Sequence, residues 1–384
     1  MRQTISSDFK LGILGGGQLG KMLCQAASAW DVSTYVLDPD PEASASGIAT
    51  KFVQGSFRDF ETVMSFASGL DLITIEIEGV NIEAVEMLEK QGIQVFPQPS
   101  CIRIIRDKGL QKMFYKEHQL PTAGFALFNN ALEIKEKVAN GELSLPFVQK
   151  KRLSGYDGQG VFIVTKATDL DLLFDEPSLI EDFVDEALEI AVIVSRNAFG
   201  EMLCYPAVEM VFNPVANLVE SLLSPARIDE NLASEAEEVA KQIADKLQII
   251  GLLAVEFLID KTGKLLINEV APRPHNSGHH TIESAYTSQY EQHLRAIFGY
   301  HPGSTKLKTP AAMINILGGE GFSGPVIYKG LNDVLQIEGV KLHIYGKKQT
   351  RPYRKMGHAT ILAETTEAAL SKAEKVLKIL KVEA

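Results

Sequence analysis

The first hundred residues alternate between short apolar runs and segments of helical spacing, and this alternation limits the fold more than any other feature of the chain. KLGILG, STYVLD, a short run around Phe52-Val53, LDLITIEI and IQVFP read as strands. Leu19 to about Ala29, residues 59–68 and NIEAVEMLEKQG read as helices between them. Strands separated by helices pair in parallel, and the helices cover both faces of the sheet. The loop Gly15-Gly16-Gly17-Gln18 joins the first strand to the first helix, and Asp38 ends the second strand. Gly15-x-Gly17-x-x-Gly20 in that setting is the pattern of a dinucleotide-binding unit, so a nicotinamide-dependent dehydrogenase is one reading. The same loop would hold any phosphate, or only allow strand and helix to pack closely. In TIEIE the isoleucines are expected on one side of the strand and Thr74, Glu76 and Glu78 on the other. That puts two carboxylates at the edge of the sheet where α/β folds bind ligands; an exposed strand end is the plainer alternative.

This unit closes near Pro97-Gln98-Pro99-Ser100, and the character of the chain then changes. RDKGLQKMFYKEHQLP reads as a charged helix stopped by Pro121. Residues 145–195 read as strands broken by a glycine loop, and 231–249 as an amphipathic helix with Leu232, Ala236, Val239, Ile243 and Leu247 on one stripe. A helix near 283–298, a third small α/β segment from Lys306 and a terminal helix from about Thr366 complete the chain. The expected domains are 1–99, 100–305 and 306–384, which suits a length of 384 residues.

The net charge of −11 argues against a nucleic-acid partner, because no surplus of Lys and Arg is present to neutralise backbone phosphates. MRQTISSDFK lacks the apolar stretch of a secretory signal, and IIGLLAVEFLI is too short to span a bilayer and carries Glu256, so no membrane association is expected. Cys24, Cys101 and Cys204 are scattered and odd in number, which suits reduced thiols in a cytoplasmic protein.

The chemistry concentrates in GLLAVEFLIDKTGKLLINEVAPRPHN, residues 251–276. Two apolar runs flank Asp260-Lys261-Thr262-Gly263 and read as a hairpin. A turn centred there sets Glu256 opposite Glu269, roughly 4.5–5.5 Å apart at the backbone. Two close carboxylates repel unless a cation lies between them. With Asn268 they offer hard oxygen ligands suited to Mg²⁺ that keeps several waters and bridges nucleotide phosphates; a solvated hairpin is the alternative. Ala271-Pro272-Arg273-Pro274-His275-Asn276 follows directly, and its prolines restrict Arg273 and His275 as an anion site would require. The histidines that follow have no cysteine nearby to suggest zinc.

Leu153-Ser154-Gly155-Tyr156-Asp157-Gly158-Gln159-Gly160 is a glycine loop between strands, able to fold backbone amides over phosphates, with Lys150 just before it; a flexible turn is the alternative. Glu181-Asp182-Phe183-Val184 ends an apolar strand where backbone groups could pair with an adenine edge, and Glu189 could accept from ribose hydroxyls. Lys347, Arg351, Arg354 and Lys355 form a basic stretch in an acidic chain, the usual fate of which is a solvated loop.

Taken together, GILGGGQLGKM, TIEIEGVN, LPTAGF, KKRLSGYDGQG, LLAVEFL, LLINEVAPRPHNSGHHT, TSQYEQHLRA and RPYRKMGH, in that order, resemble the 5-(carboxyamino)imidazole ribonucleotide synthase family of ATP-grasp ligases in purine biosynthesis. The resemblance implies an α/β and α+β molecule: an ATP-grasp fold with an N-terminal Rossmann-like domain and a small C-terminal domain. It implies a homodimer, ATP and Mg²⁺ (or Mn²⁺) as cofactors, and 5-aminoimidazole ribonucleotide and bicarbonate as substrates. By resemblance, ATP is held by Lys108, Lys150, Gly155, Tyr156, Asp157, Gly158, Gln159, Gly160, Val161, Glu181, Asp182, Phe183, Val184, Glu189, Asn268 and Glu269, and the metal by Glu256 and Glu269. Glu76, Tyr156, Asp157, Arg273, His275, Asn276 and Lys355 fall in the catalytic region. Gly17, Gln18, Glu76, Arg273, His275, Lys347, Arg354 and Lys355 fall on the ribonucleotide side. Asp157 or Glu76 is the candidate base or amine orienter, and the 153–161 loop the expected lid. Gln159, Phe212, Gly79 and Lys108 depart from the family pattern, Lys108 replacing a frequent arginine.

Overall fold

The computed structural model of the chain describes residues 4–153, 160–185, 188–213 and 218–384. Its first sheet is parallel and five-stranded, in the order Lys51–Gln54, Ser33–Asp38, Lys10–Leu14, Leu72–Ile75, Gln94–Phe96. The chain starts at the central strand and winds outward on both sides, so the glycine loop after Leu14 sits where the order reverses. One face of this sheet is covered by Leu19, Met22 and Leu23 together with Tyr290 and Leu294 of a later helix and Phe298 just past its end. The other is covered by Val63, Phe66, Val85 and Leu88.

Burial on both faces corrects one expectation. The fourth strand stops at Ile75, leaving Glu76, Ile77 and Glu78 beyond it, and Thr74 is as buried as its isoleucine neighbours. The Thr74 hydroxyl is satisfied inside the protein by His293 Nε2 at 2.8 Å. The charged helix expected over 106–120 is present as Lys108–Glu117, and an unexpected helix, Pro99–Arg106, precedes it. Helices Pro99–Arg106 and Lys108–Glu117 meet at Asp107, whose extended backbone breaks the first and whose carboxylate accepts from Gly109 and Leu110 amides of the second. Likewise, 283–298 divides into a short turn of helix, Thr281–Ser284, and a helix Gln289–Ile297 capped by Ser288.

Two antiparallel sheets follow. The smaller has the order Phe125–Phe128, Ser178–Asp182, Phe147–Lys151, Val161–Val164. The larger has nine strands, running Leu265–Ala271, Gly251–Ile259, Leu188–Arg196, Val208–Asn213, Leu218–Ser224, Ala311–Leu317, Lys355–Leu362, Val340–Ile344, with Met202–Cys204 also beside Leu188–Arg196. Helix Glu230–Leu247 lays Ala236, Val239, Ile243 and Leu247 against this sheet, while Leu232 is only partly buried. The sheet continues without interruption into the C-terminal segment, where helix Thr366–Ile379 packs Ala369, Ala373 and Val376 on Ile314, Ala359 and Ile361. No helix among the described residues is long and apolar enough to cross a membrane.

Candidate active site

The hairpin Gly251–Ile259/Leu265–Ala271 has Glu256 paired with Glu269 across the ladder. Its turn is built by Asp260, whose carboxylate accepts from the Thr262 and Lys264 amides. A register shift changes the pattern beside the glutamates: Phe257 pairs with Ile267, so Asn268 is an extra residue opposite none. In such a bulge two consecutive side chains share one side of the sheet. That is why Asn268 and Glu269 both serve the same cleft, which strict alternation forbids.

The small sheet faces this hairpin. Lys150, next to last in Phe147–Lys151, donates to Asn268 Oδ1 at 2.8 Å and pairs with Glu181 Oε2 at 2.5 Å. Lys108, at the start of its helix, pairs with Glu269. Glu189 lies on the same face of the large sheet as Glu256, because Ala191 is directly opposite Glu256. The cleft is therefore lined by acidic groups from the large sheet and basic groups from the elements above it.

The titration behaviour follows from this crowding. Burial, then Glu269 and Glu189, pushes the Glu256 carboxyl above its usual range, while Lys108 holds Glu269 well below. Burial pushes Glu189 up to about 7 despite Lys150. Burial works against Glu181 as well, but Lys150 and Lys112 hold it down to about 2. A carboxylate group with too little positive charge around Glu256 suits a hard cation. Among the described residues no group of three or more His, Cys, Asp or Glu side chains is arranged to hold a metal by itself. Two carboxylates and Asn268 would leave most of an octahedral shell to water and phosphate, the usual state of Mg²⁺. Glu269 remains 40% accessible, open enough for such an ion to reach it.

Beyond the hairpin, Arg273 Nε contacts Glu78 Oε1 at 2.9 Å. His275 Nε2 is 3.4 Å from Glu256 Oε1, and its Nδ1 is 2.9 Å from Ser277 Oγ. Gln289 fixes the backbone there, accepting from the His275 amide and donating to its carbonyl, both at 2.8 Å. Asn276 and Asn315 exchange reciprocal amide hydrogen bonds at 2.9 and 3.0 Å, tying this segment to the C-terminal part of the sheet. Lys347 donates to the Lys355 carbonyl and Arg354 to the Gln349 carbonyl. Lys355 is close enough to lower Glu256 electrostatically.

The first glycine loop has a different use from the dinucleotide pattern. Glu76 Oε1 accepts from the Gly17 amide and Oε2 from the Gly20 amide, both at 2.7 Å. Asp38 Oδ2 accepts from the Gly16 amide at 2.7 Å. A Cβ at Gly15 would lie 2.4 Å from Glu76 Cγ, and Gly15 has φ +103°, so the glycines admit an internal carboxylate. The donors a nicotinamide dinucleotide would need are already taken, and the dehydrogenase reading falls with them. Gln18 opens the helix behind the loop.

Of the expected nucleotide residues, Gly160 (φ +80°) and Val161 start the strand returning from the second glycine loop, with Val161 opposite Lys150. Asp182 ends its strand, its amide bonded to the Gly124 carbonyl; Phe183 and Val184 follow it, half-buried. Gly155, Tyr156, Asp157, Gly158 and Gln159, and with them most of the expected lid, lie outside the described residues, as does the Phe212 side chain. Sequence reasoning missed Lys112, Gln289 and Asn315. Lys112 had one available signal, a position one helical turn after Lys108 among residues that must face inward.

Family models match the chain in three stretches: a ribonucleotide synthetase preATP-grasp domain at 9–106, an ATP-grasp domain at 113–290, and a phosphoribosylaminoimidazole carboxylase C-terminal domain at 311–372. The N5-carboxyaminoimidazole ribonucleotide synthase of Bacillus subtilis is 33% identical over 368 residues, covering 94% of each chain. The chain belongs to the N5-carboxyaminoimidazole ribonucleotide synthase family of ATP-grasp ligases. The family's crystal structure from Thermotoga maritima superposes with a TM-score of 0.89 at 41% identity, covering 98% of this chain and 99% of that one. The family's Aspergillus clavatus structure, in complex with ADP and 5-aminoimidazole ribonucleotide, gives 0.87 at 30% identity, covering 97% and 99%. The chloroplastic phosphoribosylaminoimidazole carboxylase of Vigna aconitifolia is 39% identical over 381 residues, 96% of this chain; the chain spans 66% of that longer relative.

Proposed function

We propose that the chain carboxylates the exocyclic amine of 5-aminoimidazole ribonucleotide at the expense of ATP and bicarbonate, releasing ADP and phosphate. The observation that carries this reading is the Glu256–Glu269 pair, set opposite Lys108 and Lys150 and continued by the fixed Arg273–His275 segment. Bicarbonate is a poor electrophile with a poor leaving group. A bicarbonate oxygen attacks the γ-phosphorus, ADP leaves, and carboxyphosphate forms. The amine nitrogen then attacks its carboxyl carbon, the carbon–oxygen bond to phosphate breaks, and the nitrogen loses a proton.

Lys108, Lys150 and the glycine-loop amides would neutralise charge on the phosphates as the phosphoryl group moves. Mg²⁺, held by Glu256 and Glu269, would supply Lewis-acid stabilisation of the same phosphates. Arg273 and His275 would hold the one-carbon anion, and Asn276, Lys347, Arg354 and Lys355 face the ribonucleotide. Glu76 or Asp157 would orient the amine or take its proton; Glu76 is held in place by the Gly17 and Gly20 amides. The same reading includes three domains bounded near 99 and 305, a homodimer and a cytoplasmic location.

The test is to mix the chain with ATP, Mg²⁺, bicarbonate and 5-aminoimidazole ribonucleotide and follow ADP. Release that requires both bicarbonate and the ribonucleotide is expected. Release indifferent to either one overturns the assignment.

A further inference from the structure

Lys112 is 2% exposed, a costly position for an ammonium group unless it is fully partnered. It lies one turn after Lys108 on helix Lys108–Glu117, so the two lysines share a face. Lys108 reaches Glu269, whereas Lys112 turns inward to Glu181, the Thr122 hydroxyl at 2.5 Å and the Ile267 carbonyl at 3.2 Å. Glu181 is itself buried and shared: one oxygen meets Lys112, the other Lys150 at 2.5 Å. Three elements that wall the cleft thus join at one carboxylate: the helix, strand Ser178–Asp182 and strand Phe147–Lys151. The Ile267 carbonyl ties them to the strand that carries Asn268 and Glu269.

The charge balance gives this arrangement its meaning. Lys112 and Lys150 together carry two positive charges against the single negative charge of Glu181. Without Lys112, Glu181 would neutralise Lys150 one to one and draw it away from Asn268. We propose that Lys112 is a positioning residue for the nucleotide: by taking half of Glu181, it leaves more of the Lys150 charge to the phosphates. The inference rests on the reading that Lys150 faces those phosphates. Lys112 itself is enclosed by its partners and closed off from the cleft surface. Glu269 and Glu189 also act on Lys150, and Lys108 on Lys112, so the balance at Glu181 is one part of the charge around the cleft. Burial pushes the Lys112 ammonium down to about 8, with Glu181 opposing, as befits a lysine whose charge depends on this one partner.

The experiment is calorimetric titration of the folded chain with Mg²⁺·ADP, together with steady-state kinetics. Lys112→Gln keeps hydrogen-bonding capacity and loses the charge. It is expected to weaken ADP binding and raise the KM for ATP about tenfold, with the KM for the ribonucleotide unchanged. Lys112→Arg should stay within about threefold of the wild type. Adding Glu181→Gln to Lys112→Gln removes the neutralising charge from Lys150 and should recover part of the lost affinity. A role in folding alone would lower both KM-related affinities together and make the double variant no better than the single one; either result overturns the inference. Should Lys112→Gln not fold, Lys112→Arg decides: affinity within threefold supports the charge argument, and a tenfold loss overturns it. Failure of the wild type to bind ADP would refute the nucleotide reading itself, which is distinct from wild-type binding with indifferent variants.

Discussion

At the scale of single residues, the site is a set of charges that only make sense together. Glu269 accepts Lys108 and stands opposite Glu256. For Glu269→Gln, turnover is expected to fall about a hundredfold, the order seen when a ligand or its supporting partner is lost. Near-normal turnover in a coupled ADP assay would remove the metal role. The buried histidines predict a pH response of the fold. Burial pushes His280 down to about 4 and His293 to about 3. The unfolded chain binds protons at these side chains below about 6.5, whereas the folded chain does not. Their stabilisation is therefore complete above that pH and shrinks below it, by about 1.4 kcal/mol per pH unit for each group until its folded value is reached. Thermal unfolding should show a falling midpoint from pH 6.5 to 5, with a shallower fall in His293→Asn. A flat profile in the wild type would contradict it. The hairpin was readable from its two apolar runs and turn, but Glu256 meets Glu269 only through the extra residue Asn268: the register at the turn, Ile259 opposite Leu265, would by itself set Glu256 opposite Asn268. Lys112 was not readable, because in a charged helix a lysine at an inward position looks like its solvated neighbours until the carboxylate it meets, 69 positions on in the chain, is known.

At the scale of elements, two local breaks do most of the positioning. Asp107 separates helix Pro99–Arg106 from helix Lys108–Glu117, caps the second and also holds Arg152 at 2.7 Å, immediately before the second glycine loop. Asp107→Ala should lower stability by about 1 kcal/mol through the lost cap, and more where the Arg152 pair contributes. Asp107→Asn, which can still cap, should recover most of the first part; urea unfolding of the two variants separates them, and equal losses would deny the cap its share. The second break is the bulge at Asn268. Hydrophobic periodicity revealed the hairpin but could not reveal an inserted residue, since a bulge changes which side chains share a face without changing composition. The fourth strand shows the reverse error. Alternation in TIEIE suggested a strand through Glu78, yet a doubly covered parallel strand has no polar face to offer and ends before its carboxylates.

At the scale of the whole molecule, alternation and apolar runs made the parallel sheet legible, whereas the joining of the last segment to the large sheet was not. That joint depends on pairing between Leu218–Ser224 and Ala311–Leu317, partners too distant in sequence for any local pattern to record. It has a mechanical corollary. Leu223 belongs to the same apolar cluster as Ala312, Ile314 and Ala359. Ending the chain at 305 would leave Leu218–Ser224 as a bare edge beside uncovered apolar surface. Such a fragment is expected to aggregate and to lack a cooperative thermal transition; a monodisperse, sharply melting fragment would show the central portion to be self-sufficient. The plugged loop behind Leu14 also reaches beyond its own neighbourhood. A small oxyanion arriving at Gly17 and Gly20 must first evict a resident carboxylate, so this socket behaves as a sealed joint, and sulfate or inorganic phosphate in the medium should find no foothold there.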